Sequence, residues 1–146
     1  MATTIEHSID IAGPSAVVWA LNTTPEHWPT LTPTITSVRW HDDGPLRPGR
    51  QATVKQPGQR PTVWTVQTVE EGCRFEWSAS VFGTRMLATH LVEPTAGGCS
   101  NTLRLTLSGR GARVMGALLG RRLRGILRTE AEGFRREAER TAPSEH

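Results

Sequence analysis

Through most of the chain hydrophobic and polar residues alternate, and only near the end does the pattern change to a helical period. From about Ala112 to Arg140, Met115, Leu118, Leu119, Leu123, Ile126, Leu127 and Phe134 fall within one arc at about 100° per residue. Arg113, Arg121, Arg124, Arg128 and Arg135 fall opposite. Ser108-Gly109 and Gly111 break the chain before this segment, and Pro143 follows it. The pattern predicts one long amphipathic helix laid on a larger apolar surface. Gly116, Gly120, Gly125 and Gly133 each cost such a helix about 1 kcal/mol relative to Ala. Close approach of the helix to its support, or room for a ligand, could offset that cost.

Upstream, Thr3 to Ala12 sets Ile5, His7, Ile9 and Ile11 on one face and Thr4, Glu6, Ser8 and Asp10 on the other, as in a half-buried strand. Gly13-Pro14 opens a short helix with Pro at its first position, Val17, Val18 and Leu21 inward and Trp19 at the margin. Thr24-Pro25 starts a second, from Glu26 to about Leu31, interrupted by Pro29. Further strands are expected at Ile35–Trp40, Gly49–Gln56, Thr62–Glu70, Arg74–Val81, Thr84–Glu93 and Asn101–Ser108. In Arg74–Val81 the alternation is strict, with Phe75, Trp77, Ala79 and Val81 on one side. Turns of hairpin length separate most of these strands, which argues for an antiparallel meander. The expectation is an α+β fold in a single domain: seven strands curled around one long C-terminal helix, two short helices after strand 1, and a disordered tail over 142–146.

Composition narrows the functional classes. No apolar run approaches the roughly 18 residues that span a bilayer, and the first ten residues are polar, so neither integral membrane association nor a signal peptide is expected. Cys73 and Cys99 have no metal-ligand or CxxC spacing and read as free thiols of a cytoplasmic protein. The net charge of +3 and pI near 9.6 rest on arginine, since Lys55 is the only lysine. Nine arginines lie between Arg110 and Arg140, and Glu130, Glu132, Glu137 and Glu139 interleave with the later ones. This reads as a salt-bridged helix surface rather than a phosphate-tracking stripe, and no nucleic acid partner is expected. His41-Asp42-Asp43 could in principle hold a metal but sits in a Gly/Pro turn where solvated acids belong. No phosphate loop or nucleophile elbow is present.

The ordered set of local motifs is more informative than any one of them. Ile9-Asp10-Ile11-Ala12-Gly13-Pro14, Val18-Trp19, His27-Trp28-Pro29 and Pro33-Thr34-Ile35 are followed in register by Pro48-Gly49, Lys55-Gln56-Pro57 and Trp64-Thr65-Val66. Phe75-Glu76-Trp77, His90-Leu91-Val92-Glu93-Pro94 and Glu130-Ala131-Glu132-Gly133 complete the series. Together they resemble the polyketide cyclase/dehydrase branch of the START/Bet v 1-like (SRPBCC) superfamily over nearly the whole chain. The resemblance implies the helix-grip fold, a curved antiparallel sheet around the C-terminal helix with an apolar cavity between them. It does not fix a function, because members include aromatase/cyclases, lipid and quinone carriers and hormone receptors. The chain has no tyrosine, a frequent polar anchor in cyclase members, which weighs against ring closure.

In such a cavity Trp64, Phe75, Trp77, Met86 and Leu119 would supply apolar wall, the alternative for the aromatics being ordinary core packing. His90 shares a strand face with Met86, Ala88 and Val92, where it could orient a ligand, move a proton, or simply be a satisfied core histidine. His7 follows the same logic. Arg122 and Glu130 lie in the apolar arc of the helix, about 12 Å apart along its axis, too far to pair with each other. They need partners such as His90, Arg85 or a ligand, or they snorkel at the helix ends. Two functions follow: binding of a small hydrophobic ligand (aromatic, polyketide-like or lipid), with His90 and Glu130 as polar anchors, or an aldol-type cyclase/dehydrase with the same two residues as catalytic candidates. Neither needs a metal or other cofactor. A third reading puts the arginine face on an acidic partner. The protein would be a monomer or homodimer.

Overall fold

In the computed structural model, which describes residues 2–141, seven strands form one antiparallel sheet: β1 (Thr3–Ile11), β2 (Ser37–Trp40), β3 (Gln51–Lys55), β4 (Thr62–Glu70), β5 (Arg74–Val81), β6 (Thr84–Thr95) and β7 (Gly98–Gly109). Their spatial order is β1-β7-β6-β5-β4-β3-β2, a continuous meander from β2 to β7 with β1 added beside β7. Helix α1 (Ser15–Asn22) and a 3-10 turn (Pro25–Thr30) follow β1, and α2 (Ala112–Thr141) closes the chain against the inner face of the sheet. This is the expected helix-grip arrangement. The tail expected at 142–146 lies outside the described residues.

Alternation sets the inner face. Across four strands, Phe75, His90, Leu103 and His7 stand in one row, and Trp77, Ala88, Leu105 and Ile5 in the next, with Val66 extending the second row onto β4. Between Val66 and Thr68 the β4–β5 register shifts, so Val66 opposes Trp77 and Val69 opposes Phe75. One extra residue lets positions of opposite parity face inward on the same strand and bends the sheet there. The β5–β6 hairpin turns on Phe82-Gly83, both at positive φ (51° and 82°), the geometry of a two-residue primed turn.

Some elements differ from expectation. Strands β2 and β3 are shorter, and β6 and β7 run on to a tight turn at Ala96-Gly97 instead of leaving Pro94–Gly98 as a loop. Pro14 is the extended residue before α1 (φ −64°, ψ 139°) rather than its first helical one. Trp19 is buried in the core, not marginal, because its indole N–H donates to Glu71 Oε1 at 3.1 Å on the β4–β5 turn. Leu118, placed in the inward arc, is 76% exposed. It lies at the edge of that arc, and the sheet does not reach far enough to cover it.

The helix is seated unevenly. Its C-terminal half buries Ala131, Gly133, Phe134 and Ala138, whereas its N-terminal half buries only Ala112 and presents half-buried Met115, Leu123, Ile126 and Leu127. At Gly133 an added Cβ would stand 2.3 Å from the Leu31 carbonyl oxygen, so close backbone approach explains that glycine. Gly120 and Gly125 have open space at the same position. Gly133→Ala should therefore cost about 2 kcal/mol or more, while Gly120→Ala and Gly125→Ala should each stabilise by about 0.5–1 kcal/mol. Urea denaturation of the three variants checks both signs.

Candidate functional site

Between the N-terminal half of α2 and the sheet lies a cavity of about 360 Å³. Its wall is mostly apolar: Trp64 on β4, Trp77 on β5, Met86 and Ala88 on β6, Leu103 and Leu105 on β7. Met115, Leu119, Leu123, Ile126 and Leu127 close it from the helix, and Trp28 and Ile35 from the segment after α1. No hydrogen bond among the described residues engages the indole N–H of Trp64 or Trp77, and neither group is sealed from solvent-sized space. The polar groups of the wall include Gln56, Thr62, Thr89, His90, Arg104 and Glu130.

His90 is buried at the centre of an aromatic cluster. Trp28 stacks on it with centroids 5.1 Å apart and planes 21° apart, and Phe75 tilts against it at 5.5 Å. Trp28 meets Trp77 edge-on at 5.5 Å and Phe134 at 5.9 Å. The ring is held by Asn22, the last residue of α1, whose Oδ1 lies 2.8 Å from His90 Nδ1 while its Nδ2 donates to the Val18 carbonyl at 2.8 Å. Because the Asn22 amide nitrogen is committed to Val18, its oxygen must accept, so Nδ1 of His90 carries the proton and Nε2 is left as an acceptor. Burial pushes the imidazole down to about 3. It is neutral at physiological pH.

Glu130 faces the cavity from α2. Burial pushes its carboxyl up to about 7, and hydrogen bonding by the Thr34 side chain offsets part of that rise. The partners suggested by sequence do not meet it. His90 is bonded to Asn22, and Arg85 is exposed. Arg122 is exposed as well, so only Glu130 of that pair turns inward. Near pH 7 the acid is poised between its two forms.

Of the residues proposed from sequence, Trp64, Trp77, Met86, His90, Leu119 and Glu130 line this cavity. Phe75 does not. It is fully buried and backs Trp77 (centroids 5.3 Å apart) and His90 from the side away from the space. His7 is half-buried on β1 in register with Leu103 and stays off the cavity wall. His41 and Asp42 are engaged elsewhere, His41 Nε2 with Thr53 Oγ1 at 2.7 Å and Asp42 with Arg47 and Arg50. Sequence reasoning missed Trp28, Asn22 and Thr34 as site residues. Each sits at a helix end or in an irregular segment with no period to reveal its direction. The Pro-bounded Trp28 was the one available signal, since a tryptophan there must be covered by something.

The fold and cavity place the chain in a recognised class. It belongs to the polyketide cyclase/dehydrase and lipid transport family, whose model matches residues 2–139. No curated protein matches the chain in sequence. Among solved structures, a hypothetical protein from Helicobacter pylori is similar with a TM-score of 0.80 at 13% identity, over 93% of this chain and 88% of that one. Norcoclaurine synthase from Thalictrum flavum, in complex with dopamine and hydroxybenzaldehyde, gives a TM-score of 0.76 at 15% identity, over 99% of this chain and 90% of that one. The di-domain ARO/CYC StfQ from the steffimycin biosynthetic pathway gives 0.75 at 13% identity, over 96% of this chain but 51% of that protein. At these identities the likeness is one of fold. No helix among the described residues is long and apolar enough to cross a membrane.

Buried His90 and half-buried Glu130 make a prediction about pH. The unfolded chain protonates His90 near 6.5, but the folded ring resists until about pH 3, so its contribution to stability is lost as pH falls through that window. Glu130 works in the opposite sense. The unfolded carboxyl loses its proton near 4.5 and the folded one near 7, so its contribution is full below 4.5 and lost as pH rises to about 7. The difference in stability between Glu130→Gln and the wild type should therefore shift in favour of the variant from pH 4.5 to 7. Urea titrations at stepped pH measure it, and parallel curves would contradict a proton-retaining Glu130.

Proposed function

We propose that the protein binds a small hydrophobic molecule of aromatic or polyketide type in the cavity between α2 and the sheet. The observation that carries this reading is the wall itself: a largely apolar space between helix and sheet with a few polar groups, the usual make-up of a small-molecule site. Its volume of about 360 Å³ lies at the low end of the roughly 300–1,000 Å³ typical of such sites. That favours a compact ring system over a long acyl chain. The indole N–H groups of Trp64 and Trp77 would donate to ligand oxygens, and the free Nε2 of His90 would accept from a hydroxyl. The family description, and the aromatic compounds held by a synthase of this fold, support the same ligand class. The free thiols Cys73 and Cys99 are in keeping with a reducing, cytoplasmic setting.

A second reading, an aldol-type cyclase or dehydratase, is favoured by one specific observation: Glu130 faces the cavity and titrates at about 7. A carboxylate there would take a proton from a methylene flanked by carbonyls, and the resulting enolate would close on a second carbonyl of the same chain. The protonated acid would return that proton to the alkoxide so formed. In dehydration the carboxylate would take the remaining proton of the former methylene and pass it to the departing hydroxyl, which leaves as water as the C=C bond forms. His90 is a poor proton carrier at neutral pH because its folded pKa is about 3. Its role would be to accept a hydrogen bond and orient the substrate.

Native mass spectrometry of the purified protein, with extraction of whatever co-purifies, tests the first reading. One apolar molecule per chain is expected, and failure to hold any of a panel of hydrophobic probes would sink it. Ala88→Phe, which fills the cavity from β6, should weaken probe binding by at least about tenfold while the fold is retained. If the protein turns over a poly-carbonyl substrate, Glu130→Gln should lower the rate by about 10²–10⁴-fold with a much smaller loss of binding. A variant that keeps its full rate would remove Glu130 from the chemistry.

A further inference from the structure

We propose that the mouth of the cavity docks on the surface of an anionic phospholipid bilayer. Phe82, Val114 and Leu118 would enter the headgroup–acyl boundary, and the surrounding arginines would meet lipid phosphates. This goes beyond the ligand reading and holds for any apolar cargo, because it concerns the surface that the opening faces.

The cavity reaches the exterior at one end of the sheet. Its lining there includes exposed Gln59 from the β3–β4 turn, Phe82 from the β5–β6 turn and Leu119 from the first turns of α2. Phe82 is 97% exposed, and Val114 and Leu118 stand out from the same part of the helix. Phe82 also holds a left-handed backbone conformation, φ 51°, which a phenylalanine adopts at a cost. Asn or Gly would serve that turn better, so the turn gains nothing from its side chain. The exposed ring asks for another explanation, and an apolar surface to enter supplies one.

Charge supplies the second argument. No Asp or Glu occurs from 44 to 69, from 77 to 92 or from 94 to 129, the stretches that contain the β3–β4 turn, the β5–β6 turn and the junction of β7 with α2 at this end of the molecule. Arg60, Arg85, Arg110 and Arg113 are exposed there, and Arg121 and Arg122 continue the exposed basic surface along α2. None takes part in a salt bridge among the described residues. The pairs that do form, Asp42 with Arg47 and Arg50, Glu70–Arg74 and Glu137–Arg140, lie toward the other end, and Glu6–Arg104 lies mid-sheet. The α2 surface is thus not the uniformly salt-bridged face its sequence suggested. A second copy of the chain is a poor occupant, since it would set one acid-free basic surface against another. Isolated apolar tips among guanidinium groups suit a bilayer, where the tips need no shaped pocket and each guanidinium can bind phosphate in two-pronged fashion.

Flotation with lipid vesicles tests the proposal on the intact protein. Binding to phosphatidylcholine vesicles containing about 30 mol % phosphatidylglycerol should be at least about tenfold tighter than to pure phosphatidylcholine. It should fall as salt rises from about 0.1 to about 0.5 M. The double variant Phe82→Asn/Leu118→Ser should bind anionic vesicles at least about fivefold more weakly, with a melting temperature no lower than wild type, because Asn tolerates the left-handed turn. Arg121→Glu/Arg122→Glu should lose the preference for anionic lipid. Equal binding to both vesicle types, no vesicle binding, variants that bind like wild type, or association only with an acidic protein would each overturn the proposal.

Discussion

The contact on which the site depends is the seating of α2 against the chain at Leu31. With only a hydrogen at Gly133, the helix backbone comes so near the Leu31 carbonyl that no side chain would fit between them, and Ala131 and Ala138 keep the same half of the helix close to its support. Toward the N-terminus Met115, Leu123 and Leu127 are only half-buried and Leu119 is exposed, and all four line open space although Gly116 brings the helix close to Thr3 of β1. The helix is held close at Gly116 and again at Gly133, and the cavity opens between these seats and the strands that carry Trp64, Trp77 and Met86. The sheet bends at the β4 irregularity beside that space.

Desolvation disfavours whichever form of a group is charged, so it lowers the imidazole of His90 and raises the carboxyl of Glu130, and the two titratable groups are driven in opposite directions by one cause. The segment after β1 acts on both: Asn22 sets the tautomer of His90, and Thr34 lowers the Glu130 pKa in part. The stretch from α1 to β2 therefore does for the polar groups what α2 does for the apolar wall. It gives them direction, and it leaves acceptor and donor positions open toward the cavity.

Outside, the charges are sorted along the strands. Hairpin turns at one end of the sheet carry the acids and their arginine partners, and the other end, where the cavity opens, carries arginines alone. An antiparallel meander makes such sorting possible, because turns distant in sequence gather at the same end.

Much of this was written in the order of the residues. Period-two alternation located the strands, placed Trp77, Met86 and His90 on the inner face, and the 3.6-residue period marked α2 and put Leu119 and Glu130 on its inward side. These are local properties, since each side chain's direction follows from its own backbone. Depth is not local. Phe75 and Trp77 share a face, yet only one of them reaches the cavity, because the packing of Trp28 and His90 decides which ring is covered. Leu118 belongs to the helical arc but lies beyond the edge of what the sheet covers. The bulge after Val66, the Asn22–His90 bond and the approach of Gly133 to Leu31 join residues that no spacing relates. Periodicity determined which way side chains point; tertiary contact decided what each one meets, and so which of them surround an empty space.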